Sequence, residues 1–247
     1  ITEIETGTLQ IANDDAISTA STVAFTGSGN LDLAGFDQTL ANISVADGIT
    51  GTVIGTGSTL TLGASNFQIG GAGAGAAAGI DLSGLSTFVF DGAARSFLVS
   101  SIYSAASGSN LGNGTLVLTN SGNSFSGDVS IRQGAVVITN QGQLGAGTNA
   151  ISVTGIASTG NPGFSGGRLV LDGSAAPLTM TRVISVSGRG AGAVNSSGGL
   201  VSVGNNILNG NLVLASGASE GRVTATHGRT TVNGDALLGA GAAPVFY

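Results

Sequence analysis

GTLQIANDDAISTASTVAFTGSGNLDLAG, residues 7–35, has a counterpart further along the chain: GAVVITNQGQLGAGTNAISVTG at 134–155 and GRLVLDG at 167–173. Eleven residues, 156–166, separate the two halves of the second copy and match nothing in the first. Gly7, Ile11, Asn13, Ile17, Gly27, Leu31, Leu33 and Gly35 fall in step with Gly134, Ile138, Asn140, Leu144, Gly155, Leu169, Leu171 and Gly173. A block that recurs in this way marks an array of like units stacked on one another. It turns the question of function toward length and surface rather than toward a pocket.

Composition narrows the classes. Of 247 residues 44 are Gly, there is no Cys, Trp or Lys, and charged residues make up 8%, against about a quarter in ordinary domains. Disorder requires low hydrophobicity and high charge, whereas 41% of this chain is hydrophobic and its mean hydropathy is +0.40. Glycine shows no strict period of three, which excludes collagen. A formal charge of -6 carried without lysine suits nucleic acid poorly, because phosphate neutralisation needs clustered basic residues. The densest basic stretch holds only Arg182 and Arg189, and no polybasic anchor for anionic lipid is visible. No apolar run reaches the roughly 20 residues of a membrane helix. The absence of cysteine rules out a disulfide framework and agrees with passage across an outer membrane in the unfolded state. Starting at Ile1 without a signal peptide, the sequence is expected to be a fragment or a processed product.

Short runs that alternate or are rich in β-branched residues occur at 8–11, 22–25, 30–33, 59–62, 87–90, 115–118, 128–131, 135–138, 150–153, 168–171, 183–186, 200–203, 211–214, 222–225 and 229–232. Period two predicts half-buried strands. Asp47-Gly48, Asp91-Gly92, Asn113-Gly114, Asp172-Gly173, Asn209-Gly210 and Asn233-Gly234 separate them, and such pairs serve either hairpins or left-handed corners. The weakest stretch is 64–81, where the Gly/Ala run reads as a loop, a tight corner or one helical turn. An antiparallel sandwich has similar strand spacing. The long-range repeat and the few aromatics favour a parallel β-helix, at about 20 to 25 residues per coil and roughly 10 to 12 coils. Pro162, Pro177 and Pro244 all lie outside the strong strand runs, as strands bonded on both edges require. The chain reads as one array over 1–247, with repeat-like blocks at about 7–35, 114–173 and 183–239.

GTLVLTNSGNSFSGDVSIRQGAVVITNQGQLG, residues 114–145, resembles the autotransporter-associated β-strand repeat of bacterial surface proteins. The pattern is met by Gly114, Thr115, Leu116, Leu118, Asn123, Phe125, Gly127, Ile131, Gly134, Ile138, Leu144 and Gly145. GNLDLAGFDQTLANISV (29–45) and GTGSTLTL (55–62) resemble the spacer that follows such a repeat, and 183–239 resembles it more loosely. The resemblance implies a right-handed parallel β-helix (β-solenoid), secreted to the surface of a Gram-negative-type cell as part of a longer passenger. It implies a scaffold role that assists secretion and carries no catalytic residues.

Few side chains offer candidate chemistry. His227, the sole histidine, would need Asp235 or another carboxylate to serve a Ser-His-Asp constellation, yet Thr226-His227-Gly228 reads as a turn. One His and no Cys make tetrahedral zinc unusual. β-Helices host glycan lyases and hydrolases, whose paired acids stand about 5 to 9 Å apart. The spacing of Asp15 and Asp37 fits adjacent coils, and Glu3 and Glu5 would share a strand face. The alternative is that these acids solvate turns. Gly70 to Gly79 resembles the start of a calcium nonapeptide but lacks its Asp. The stretch from Gly73 to Ala78 matches G-x-G-x-x-A, with Asp91 eighteen residues later, but no long helix follows. Asn42, Asn113 and Asn195 head sequons of the kind expected by chance.

The sequence thus points to a structural, extracellular all-β solenoid, a building block of a surface fibre or passenger stalk. It is expected to be no enzyme, to have no catalytic, cofactor or metal residues, and to self-associate head to tail or laterally. Structural calcium is the one cofactor left open. The rival reading is an adhesin whose loop 155–167, with Asn161 and Phe164, binds a host surface or glycan; a polysaccharide lyase or hydrolase comes third.

Overall fold

The computed structural model describes residues 1–46, 48–63, 66–69, 79–91, 95–99, 115–118, 123, 125–145, 148, 150–154, 167–187, 198–214, 221–239 and 245–246. The early strands are β1 (Thr2–Ile4), β2 (Gly7–Gln10), β3 (Thr22–Phe25), β4 (Gly29–Asp32), β5 (Gln38–Leu40), β6 (Asn42–Val45) and β7 (Thr50–Leu62). β8 (Asn66–Ile69), β9 (Gly79–Phe90), β10 (Arg95–Val99), β11 (Thr115–Val117) and β12 (Val129–Ile138) follow, then a 3₁₀ turn at Gln141–Leu144. β13 (Ile151–Thr154), β14 (Gly167–Met180), β15 (Ile184–Ser187), β16 (Leu200–Leu208) and β17 (Leu212–Leu214) come next. β18 (Arg222–Thr226), β19 (Thr230–Val232), β20 (Ala236–Leu238) and β21 (Val245–Phe246) complete the order.

The fold is all-β, and every strand pair among the described residues is parallel. The partners of every pair stand a full pass of the chain apart, from Thr22–Asn42 at the short end to Leu98–Gln133 at the long end. Among the described residues no turn dipeptide closes a hairpin: Asn209-Gly210 follows β16, Asn233-Gly234 follows β19, and Asp172-Gly173 lies within β14. Asp47, Gly92, Asn113 and Gly114 lie outside the described residues.

Three tracks of strands run side by side. The first is β1–β3–β6, with β8 against β6, then β8–β10–β12–β13–β15–β17–β20. The second takes β2, β4 and the first halves of β7 and β9, then β11, the second half of β12, the first halves of β14 and β16, β18 and β21. The third takes β5 with the ends of β7 and β9, and the ends of β14 and β16 with β19. Among the described residues no strand pair joins β6 to β8 or β9 to a later strand, and β12 belongs to two tracks, so hydrogen bonding gives sheets of 3, 5 and 13.

Alternation decides which face is buried. In β3 and β4, Val23, Phe25 and Leu31 have no exposed surface, while Thr22, Ala24 and Asn30 are half-buried. Parallel register then sets like over like: Val23 over Ile43, Phe25 over Val45, and Ile131 over Val153 over Val186 over Leu214. Burying one such side chain stabilises by about 1.5–3 kcal/mol, so continuous aliphatic columns hold the tracks together. Aromatics fill the middle. Phe67, Phe90 and Phe125 are fully buried, with ring centroids 5.3 Å apart for Phe67–Phe90 and 6.4 Å for Phe90–Phe125, both edge-on.

The recurring block now has a geometric meaning. Leu9 pairs with Leu31 in the first copy, and Val136 pairs with Leu169 in the second, where one pass of the chain is longer. The eleven extra residues fall in the connection between β13 and β14, and the pairing on either side is unchanged. One expectation needs correcting. Pro177 lies inside β14, not outside a strand. It is tolerated because the ladder to β16 breaks between Gly173 and Leu178, so no bond is asked of its nitrogen.

Candidate functional site

The chain does bring Asp15 and Asp37 onto adjacent passes: the Asp15 N–H donates to the Asp37 carbonyl at 2.9 Å. Their carboxylates are already engaged. Asp15 Oδ1 accepts the Thr39 N–H at 2.7 Å, Asp37 Oδ1 accepts the Thr59 N–H at 2.6 Å, and Asp14 Oδ1 accepts the Asp37 N–H at 2.9 Å. Each acid satisfies a main-chain donor on the following pass, at an edge where the ladder itself supplies no acceptor. Glu3 is exposed on β1, and Glu5, also exposed, lies just beyond the end of that strand with buried Ile4 between them. The chain leaves β1 at Ile4 and turns at once into β2, whose first residue, Gly7, has φ 77°.

His227 sits in an exposed bend with φ 54°, between β18 and β19. Asp235 is exposed before β20, and its N–H donates to Asn211 Oδ1 at 3.1 Å. The two stand at opposite ends of β19 and no hydrogen bond joins them. Among the described residues no three of His, Asp and Glu gather as a metal site, and no helix is long and apolar enough to cross a membrane. Asn42 opens β6, half-buried. Asn113, Asn195, Asn161, Phe164, residues 70–78 and the insertion 156–166 lie outside the described residues. Asp91 is exposed just after β9.

A cleft of about 250 Å³ opens between β9 and β11, lined by Ile80, Leu82, Leu85, Ser86, Phe88, Leu116 and Val117. Its one polar side chain, Ser86, accepts the Gly57 N–H at 2.7 Å. Among the described residues the lining holds no acid, base or cation.

The polar side chains that matter are buried ones that bond main chain across passes. Asn123 Oδ1 accepts the Phe90 N–H at 2.9 Å, and its Nδ2 donates to the Gln143 carbonyl at 2.6 Å. Gln38 accepts the Ile17 N–H at 3.0 Å and donates to the Ile17 carbonyl at 2.8 Å. Asn206 Nδ2 stands within reach of the Leu171 and Val203 carbonyls and of Ser202 Oγ, at 3.1, 2.9 and 2.8 Å. Arg182, 3% exposed, donates from Nη1 to the Leu144 carbonyl at 2.6 Å and from Nη2 to the Gly145 carbonyl. The 3₁₀ turn begins in a reciprocal cap between Asn140 and Gln143 and ends on this guanidinium. Burial draws the Arg182 and Arg168 pKa values below the ordinary arginine range, while the Ser174 hydroxyl and N–H hold Asp172 below the usual carboxylate range.

Asn123 stands in the repeat-like stretch 114–145, but nothing in the sequence pattern singles out Gln38, Arg182 and Asn206 as structural residues. Their one sequence signal is a long polar side chain that interrupts an apolar alternation. A comparison with protein-family models, curated proteins and solved structures finds no match for this chain.

Proposed function

We propose that the chain is a right-handed parallel β-solenoid with a structural role, a segment of an extracellular fibre or passenger stalk of the autotransporter-repeat type. The observation that supports this reading is the uniform pairing: every strand pair among the described residues is parallel and joins residues a full pass of the chain apart. Ten strands follow one another on the first track, the number of coils expected of an array this long. Right-handedness is supported by the strong preference of parallel crossovers for that hand. The polar groups at the corners hydrogen-bond neighbouring main chain, as a scaffold requires. Negative-stain electron microscopy over a dilution series tests the assembly. Fibres that persist on dilution support an architectural role; short separate rods at every concentration count against it.

One observation favours a second reading, an adhesin. The connections β8–β9, β10–β11, β13–β14, β15–β16 and β17–β18 all join a first-track strand to a second-track strand, and the eleven residues that the first block lacks, 156–166, fall in one of them. Insertions gathered on one side of an array often form its binding face. Deleting 156–166 restores the shorter step of the first block, from Leu9 to Leu31. If binding to cells or a glycan panel is lost while the fold is kept, the loop is the adhesive element. The third reading, a polysaccharide lyase or hydrolase, gains nothing from carboxylates occupied by main-chain N–H groups. Turnover of a polysaccharide that disappears in Asp15→Ala would revive it.

A further inference from the structure

Charge is sorted along this chain. Residues 1–94 hold nine carboxylates (Glu3, Glu5, Asp14, Asp15 and Asp32 among them) and no Lys or Arg. Residues 95–247 hold four carboxylates and all seven arginines. In a parallel ladder, position in sequence is position along the axis, so the described acids of the early passes and the described arginines of the later ones lie at different heights.

One edge shows the sorting in detail. Asp37 directly precedes Gln38, and Arg229 directly precedes Thr230, the first residues of β5 and β19 on the third track. Gln38 pairs with Leu60 in one sheet and Leu178, Asn206 and Thr230 run in register in another, so each charge directly precedes the third-track strand of its own pass; the solenoid reading sets these two corners on one edge. Asp14, Asp15, Asp37, His227 and Arg229 are exposed on this edge, and its connections are short. From β3 to β17, the first-track strands of those two passes, there are seven strand steps, about 34 Å at roughly 4.8 Å each. The screening length at physiological salt is about 8 Å, so these charges do not neutralise each other within one molecule.

We propose, resting on the solenoid reading above, that two copies of this chain meet side by side and antiparallel along this edge. The acidic passes of each face Arg229 on the other. A two-fold arrangement satisfies both ends at once, whereas parallel alignment sets acid against acid. Exposed ion pairs contribute little affinity; their effect is to choose the direction of approach and to make it salt-dependent.

The chain has no cysteine, which makes the test direct. Thr56 and Ala176 are exposed on the same edge, four passes apart, and neither side chain makes a hydrogen bond among the described residues. Full-length Thr56→Cys and Ala176→Cys proteins are mixed and treated with a short bismaleimide. With Asp37 opposite Arg229, Thr56 of one copy comes within about one strand step of Ala176 of the other. The expected result is a mixed Thr56–Ala176 cross-link several-fold more abundant than the Thr56–Thr56 product at about 0.01 M salt. It should fall to background at about 1 M salt, and again when both partners carry Arg229→Glu. A dominant Thr56–Thr56 product, or a mixed product indifferent to salt and to Arg229→Glu, overturns the proposal. End-to-end stacking brings neither pair within reach. Fibres in the micrographs without the mixed cross-link therefore sink this proposal and leave the structural reading standing, whereas separate rods without cross-links sink both.

Discussion

Asn123 illustrates how single polar residues hold an uncharged ladder. Its amide meets one main-chain donor 33 residues earlier and one acceptor 20 residues later, so it ties three passes with one side chain. An unsatisfied buried polar group costs about 1–3 kcal/mol. Asn123→Ala strands both partners and is expected to lose about 2–5 kcal/mol in denaturant unfolding. Asn123→Asp keeps one acceptor but removes the donor and should fall between. Arg182 acts similarly on two carbonyls. A lysine is a point donor that cannot fork, so Arg182→Lys should recover only part of the loss seen in Arg182→Met. Asp172, which accepts the Ser174 N–H at 3.0 Å, has a depressed pKa. Its contribution is present above the ordinary carboxylate value and lost as pH falls through the lower folded value. The stability difference between wild type and Asp172→Asn should therefore shrink on acidification, which denaturation midpoints across pH will show. Two glycines separate strain from space. Gly7 has φ 77° and open surroundings, whereas a Cβ on Gly27 would collide with the Glu5 carbonyl. Gly7→Ala should cost about 1–2 kcal/mol, and Gly27→Ala more, with a backbone shift.

At the scale of elements, the readable strands were those whose own side chains alternate cleanly. The runs 22–25 and 222–225 fall on β3 and β18, and 128–131 with 135–138 prove to be the two ends of one strand, β12. β5 and the closing residues of β14 and β16 were not anticipated. QTL, LTM and NIL are too short to show a period, and they become strands because the neighbouring pass supplies the register. The alternating runs 59–62 and 87–90 mark only the ends of β7 and β9, because the register shifts between Gly55 and Thr59 while the strand continues. The polar site residues were harder still. Gln38 and Arg182 look like surface residues because the carbonyls they meet belong to other passes, 21 and 38 residues away. The aromatic centre gives the test for this scale. Phe90 contacts Phe67, Phe88 and Phe125, so Phe90→Ala should cost about 3–5 kcal/mol. Exposed Val117→Ala should fall within about 0.5 kcal/mol of wild type.

For the whole molecule, the uneven charge bears on stability as well as on association. The first 94 residues carry nine carboxylates without a single counter-cation, and like charges within a screening length repel. Raising salt from about 0.01 to about 1 M should slow amide hydrogen exchange in β2, β4 and β7 more than in β14 and β16. Equal protection in both regions would mean that the acids are already balanced locally.

The pairing of strands a full pass of the chain apart, from Thr22–Asn42 at the short end to Leu98–Gln133 at the long end, also has a mechanical meaning. A pull applied along the axis loads the passes in series, so each holds against the next and the weakest yields alone. Force spectroscopy on a tethered chain should show a train of small, separate rips rather than one rupture. Each rip would release roughly 7 to 12 nm of contour at about 3.5 Å per residue, and the long releases would come from the passes that carry the longest connections. On the solenoid reading, the chain gives way in steps under load and re-forms in steps when the load is released.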